Sequence, residues 1–331
     1  MSMTEDEMRD FLIRAFNPRS TRDDQIEVGA SNLSDPCNRC RAHAIAGNPR
    51  SAGFMDAAWG GRRVGTSIHQ HIEGNLKRAA ATADAEGDDL ARLGADFPGL
   101  EPERHVTLGE LAPGRIVNST TDLYIPSRRV VEDTKSTDLR KMAFMVDAIS
   151  MLRGEGPVFG RGHRFTDLYL EHEGKTTPGL FRKIIDGVSE REYADEIEHA
   201  KYKLTRYSNQ LHLYAKSITD EGLPVDDLFI GLIARDSAMT VDSRDSARYH
   251  DDSAPRGIRA IRFAYVPDYA AGLWKSAQAM AKDLESGKTA PIDYPSHPLC
   301  GICDDERKRE AKLDSAPPAP VELIAADPWA A

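Results

Sequence analysis

Asp122, Asp133 and Lys135 are the residues on which chemistry could be built. Two β-prone runs, 116–125 and 129–135, flank the turn-forming triplet Pro126, Ser127 and Arg128, which predicts a hairpin. With the turn centred between Ser127 and Arg128, Ile125 faces Val130 and, by the same count, Asp122 faces Asp133. Directly opposed side chains have Cβ atoms about 5 Å apart, and like charges there repel unless something positive lies between them. A divalent metal ion is the simplest such partner. The two-residue period of a strand puts Val131, Asp133 and Lys135 on one face and Val130, Glu132 and Thr134 on the other. Two acids and a lysine then converge, as metal-assisted phosphodiester hydrolysis requires. The cation acidifies a bound water, while the lysine orients that water or stabilises the developing charge. Taken alone, the same three residues are equally compatible with a surface hairpin bearing ordinary charges.

The four cysteines form two matched pairs, Cys37 with Cys40 and Cys300 with Cys303. In a reducing compartment this spacing indicates metal ligation rather than disulfides. Four thiolates suit either a tetrahedral zinc ion or an iron–sulfur cubane, and ligand count does not decide between them. Either group would be structural, tying the N-terminal segment to the C-terminal one around the chain between them.

The elements that must position these groups are readable in outline. Val64, Ile68, Ile72 and Leu76 recur every fourth residue and predict a helix over about 65–80, with His69 at the edge of its apolar stripe. Residues 41–46 are expected to be helical, 81–100 a loop with a weak helix, and 106–108, 227–234 and 258–266 strands. A helical stretch is expected to end in 200–215, and a helix is expected over 268–285. Tyr207, Gln210 and Tyr214, at i, i+3 and i+7, share one helical face. The organisation expected is an N-terminal arm over 1–29, including an amphipathic stretch at 8–16, one domain over 30–305 with an insertion at 139–200, and a flexible tail over 306–331.

The order of these motifs resembles the RecB-type branch of the PD-(D/E)xK nucleases. Its members have an Asp ending one strand, here Asp122, an acid-x-Lys on the next, here Asp133-Thr134-Lys135, and a later helical Gln-x-x-x-Tyr, here Gln210 and Tyr214. Gly65-x-x-x-His69 is similar to the Gly-x-x-x-His helix of the same enzymes. The resemblance implies an α/β (α+β) fold with a restriction-endonuclease-like core, a central mixed sheet flanked by helices. It implies Mg²⁺ or Mn²⁺ held by His69, Asp122, Asp133 and the Thr134 carbonyl, with Lys135 catalytic and Gln210 and Tyr214 supporting the site or touching DNA. Glu103 corresponds to an acidic position of some members. Cys37-Asn38-Arg39 and the closing Cys300-x-x-Cys303 look like the cysteine-cluster subgroup of CRISPR-associated, AddB-like and phage exonucleases, which implies a [4Fe-4S] cluster, with Zn²⁺ the alternative. The cysteines divide two and two rather than one and three, and Ser119 stands where the pattern has glycine.

At 331 residues, 40% hydrophobic and 29% charged, the chain can bury a sizeable core, and no run of about 18 apolar residues suggests a membrane span. The first ten residues are acidic and unlike a secretion signal, so the expected location is the cytoplasm, the host's if phage-encoded. A net charge of −10 argues against a broadly basic nucleic-acid binder but leaves room for local patches, for which Arg39, Arg41, Arg62, Arg63, Arg140 and Lys141 are candidates. The expected function is a metal-dependent DNA exonuclease of phage or bacterial recombination and repair, acting on DNA ends or single strands. The alternatives are a catalytically inactive nuclease fold that binds DNA or serves as an adaptor, and a restriction-type endonuclease, for which no target-recognition segment is evident.

Overall fold

Strict alternation marks the centre of the sheet. In the strand Asp227–Ala234, Leu228, Ile230, Leu232 and Ala234 are buried while their neighbours are half-exposed, as a strand covered mainly on one face requires. The computed structural model describes residues 28–47, 59–81, 89–157, 188–234, 258–305 and 307–308. The expected arm over 1–27, most of the expected tail, and residues 158–187 of the expected insertion lie outside them.

Five strands form one mixed sheet in the order β1 (Glu101–Ala112), β2 (Arg115–Ile125), β3 (Val130–Thr137), β4 (Asp227–Ala234) and β5 (Ile258–Ala264). Neighbours run antiparallel except β3 and β4, which are parallel. That one parallel pair needs a crossover, which the chain makes between 137 and 227 and whose described residues include the helices Leu139–Leu152 and Glu190–Asp220. Helices bound the sheet: α1 (Ala30–Leu33), α2 (Asn38–Ile45), α3 (Trp59–Ala81), α4 (Asp89–Asp96), α5 (Leu139–Leu152), α6 (Glu190–Asp220) and α7 (Pro267–Glu285). The architecture is the α+β mixed sheet with flanking helices that was expected.

The main core lies between the face bearing Tyr124, Val131, Leu228 and Ile230 and the helices α5, α6 and α7, whose Phe144, Leu211, Leu213 and Trp274 are buried there. Helix α5 falls within the expected insertion, yet Met142, Phe144, Met145 and Ala148 belong to this core. Its start is capped by the Asp138 carboxylate, which accepts from Lys141 N at 2.8 Å. Helix α6 begins with a Ser189/Glu192 capping box and runs unbroken for 31 residues. A smaller cluster on the opposite face joins Leu76 and Ala79 of α3, Leu93 of α4, and Leu123 and Ile125 of β2, so α3 lies across the β2–β3 hairpin. Among the described residues no helix is long and apolar enough to cross a membrane.

Gly109, in left-handed backbone (φ 121), marks a bulge in β1; a Cβ there would meet the Trp274 ring at 3.3 Å, so glycine lets α7 close onto the sheet.

Candidate active site and cysteine cluster

The β2–β3 ladder pairs Ile125 with Val130, Tyr124 with Val131 and Leu123 with Glu132, the register expected from the turn. It ends there, so Asp122 and Asp133 are not a ladder pair. At the next step a side chain replaces the backbone partner: Asp122 Oδ2 accepts the Thr134 N–H at 2.7 Å, and Thr121 Oγ1 donates to Glu132 O at 3.2 Å. The strands thus part where the two carboxylates meet.

Asp133 is 1% exposed. Gln210 Nε2 donates to its Oδ1 at 3.3 Å and to the Tyr214 hydroxyl oxygen at 2.6 Å, so the shared helical face of α6 is spent on this carboxylate. Its Oδ2 is taken by Lys135 Nζ, which donates to it in a buried ion pair. Lys135 also lies 5.5 Å from the centre of the Tyr207 ring. From α3, His69 Nε2 is 2.6 Å from the Thr134 carbonyl oxygen, and Nδ1 is 3.6 Å from Asp122 Oδ2.

Burial and the charge of Asp133 push the Asp122 carboxyl up to about 6, against the opposing pull of Lys135 and His69. Burial works against the Lys135 ammonium, but Asp133 and Asp122 outweigh it and hold it above the usual lysine range. Burial, then Asp133, pushes the Tyr214 hydroxyl up to about 12.

His69, Asp122, Asp133, Thr134, Lys135, Gln210 and Tyr214 are therefore brought together. Two carboxylates, a main-chain carbonyl and an imidazole lie together, an oxygen-rich donor set of the kind that could hold a hard divalent cation. Glu103 is set apart. It falls at the register step opposite Asp122 with left-handed backbone (φ 50), and its carboxylate meets Lys77 Nζ at 3.4 Å. Ser119 is explained by its contacts: its hydroxyl accepts from Ala30 N at 3.4 Å and lies against Tyr214.

Sequence reasoning missed Glu132. Its side chain lies across Gly231 on β4, where a Cβ would come within 2.4 Å of Oε1, and it accepts from Thr134 Oγ1 at 2.9 Å. Burial, then Asp122 and Asp133, pushes its carboxyl up to about 8. A carboxyl raised in the fold stabilises fully below its unfolded value, near 4.5, and loses that contribution as pH climbs to about 8. Glu132→Gln removes that loss. In the presence of a chelator, the Tm of the variant relative to the wild-type chain is expected to rise by a few degrees between about pH 5 and pH 8 and then level off. A difference that stays constant across that range removes Glu132 from the pH response.

The four cysteines meet as their spacing implied: all four Sγ atoms lie within 4.8 Å of one another, and three of the residues are buried. Thiol crowding opposes full ionisation. Hydrogen bonds from Cys300 and Cys40 lower Cys37, whereas donation to Cys300 and Cys37 raises Cys40, and burial raises Cys303. The cluster also anchors α6. Asp35 Oδ1 accepts from Cys37 N at 2.9 Å and from the Tyr202 hydroxyl at 2.7 Å, Tyr202 stacks against His297, and Asn209 donates to Ser34 O at 3.0 Å. One helix thus runs from the cysteine cluster to Asp133.

No family model and no curated protein matches the chain. Among solved structures, a phage-related exonuclease from Haemophilus somnus 129PT is similar over 80% of this chain and 96% of that one, at 14% identity and a TM-score of 0.28.

Proposed function

We propose that the chain is a metal-dependent DNA nuclease of the PD-(D/E)xK type that hydrolyses phosphodiester bonds, more specifically an exonuclease acting on DNA ends or single strands in phage or bacterial recombination or repair. The observation that carries the proposal is the buried Asp133 carboxylate, held by Gln210 on one oxygen and Lys135 on the other, with the Asp122 carboxylate beside it. An ordinary surface hairpin has no reason to bury such a cluster, whose like charges are costly to hold together.

His69, Asp122, Asp133 and the Thr134 carbonyl would hold Mg²⁺ or Mn²⁺. When bound, the cation acidifies water and neutralises the scissile phosphate. Lys135, kept protonated by the two aspartates, acts as a donor and not as a base: its ammonium orients the attacking water and offsets charge developing on the phosphate. Gln210 and Tyr214 hold the Asp133 carboxylate in one orientation. Asp122 and Lys135 retain partial exposure, which gives a strand access to the site.

The test is degradation of end-labelled single- and double-stranded DNA with Mg²⁺ or Mn²⁺, beside an Asp133→Asn variant. Equal degradation by both proteins, or by neither, sinks the proposal, and DNA binding without degradation points to the adaptor alternative.

A pH dependence follows for cation binding. Asp122 must lose a proton to ligate, and its carboxyl titrates near 6. The affinity of the chain for Mn²⁺ is expected to fall about tenfold per pH unit below that value and to level off above it. Calorimetric titration between about pH 5 and pH 8 measures this, and a flat profile rules out Asp122 as the proton-competing ligand.

A further inference from the structure

The geometry points to a single tetrahedral zinc ion on Cys37, Cys40, Cys300 and Cys303, in place of an iron–sulfur cubane. The inference goes beyond the nuclease proposal and does not depend on it. Sulfur separations carry it. Cys37 and Cys303 are 3.6 Å apart, Cys40 and Cys300 3.3 Å, and Cys40 and Cys303 3.7 Å. A tetrahedron with Zn–S bonds of about 2.3 Å sets its sulfurs about 3.8 Å apart. A cubane places its own irons and sulfides between the thiolates and spreads them to roughly 6 Å or more. With every pair inside 4.8 Å, the cavity between the thiolates accepts one ion and no larger core.

The surroundings agree with the smaller occupant. Each pair is presented by the first turn of a short helical segment, Cys37 as the N-cap of α2 and Cys300 just before the helical turn 301–305. The two turns are locked together by backbone as well as sulfur. Arg39 N donates to Pro295 O at 3.3 Å, Arg39 Nε donates to Tyr294 O at 3.1 Å, and His297 N donates to Cys37 Sγ at 3.3 Å. An N–H donating to a ligating sulfur is the expected outer shell of a thiolate site.

The experiment uses the full chain, purified without chelator from cells supplied with both iron and zinc, in parallel under air and anaerobically. The expected product is colourless, with about one zinc per chain and no acid-labile sulfide, and a thiol-blocking mercurial releases the zinc in a colorimetric assay. Exchange with Co²⁺ is expected to give the intense visible bands of tetrahedral thiolate ligation. A brown anaerobic preparation with about four irons and matching sulfide overturns the inference, as does a stable cubane after anaerobic reconstitution with iron and sulfide. A preparation that holds neither metal and takes up no Co²⁺ also overturns it. Cys40→Ser provides a second arm, since Cys40 is the least buried of the four ligands. This variant should bind Co²⁺ at least about tenfold more weakly, with a spectrum shifted by the lost sulfur, and an unchanged spectrum excludes Cys40 as a ligand.

Discussion

Asp133→Asn should retain its fold and lose at least about a thousandfold in the rate of DNA hydrolysis. Asparagine keeps the shape and an oxygen acceptor for Gln210 Nε2, so the Gln210–Tyr214 pair stays in place. The lost charge is the one that ion-pairs with Lys135 through Oδ2. Lys135 is not stranded by the change, because Asp122 also acts on its ammonium. The expected cost in stability is therefore a few degrees of Tm rather than unfolding, whereas alanine would remove the Gln210 acceptor as well. Removing a negative charge beside a phosphate should also tighten DNA binding while hydrolysis disappears. A gel-shift titration next to single-turnover hydrolysis separates the two effects. A loss of both binding and hydrolysis would point to misfolding, and melting curves in parallel detect that. Undiminished hydrolysis would falsify the assignment of Asp133.

The contrast between Asp133 and Glu132 explains what the sequence could and could not tell. The hairpin register followed from turn chemistry and the two-residue period, both local, and the observed pairs Ile125/Val130 and Leu123/Glu132 obey it. Local rules do not show that the ladder stops one step later, because the stop is made by the Asp122 side chain taking the Thr134 N–H. Nor do they reveal that Glu132 lies over Gly231, since that depends on β4 joining β3 in parallel across a long crossover. The convergence of His69 on Asp122 and of Gln210 and Tyr214 on Asp133 was legible only through the order of motifs; helical spacing alone gave each residue a face without a neighbour. Helix α5 shows a different limit. Its Phe144 and Met145 are plainly apolar, but their place in the main core is decided by which face α6 leaves open beside β4.

The cysteine cluster should matter to stability as much as Asp133 matters to chemistry, and for a reason of length. Cys40 and Cys300 are 260 residues apart, and closing a loop of that size in the unfolded chain costs about 5 kcal/mol of entropy. A bound metal removes that cost from folding, and the sum is comparable with the whole stability of an ordinary domain. Cys300→Ser/Cys303→Ser is therefore expected to lose most of its resistance to urea. Protease cleavage is expected first within 28–47, the segment that the thiolates hold against 291–303. Because Asp35 links Cys37 to Tyr202, and Asn209 holds Ser34, loosening that segment also frees the stretch of α6 that leads into Gln210. Hydrolysis should fall although Asp122, Asp133 and Lys135 are untouched. Stripping the metal from the wild-type chain under reducing conditions should reproduce both losses, and restoring it should reverse them. An unchanged urea midpoint in the double variant would show that the hydrogen bonds of Arg39 to Pro295 and Tyr294, and not the closed loop, hold the ends together.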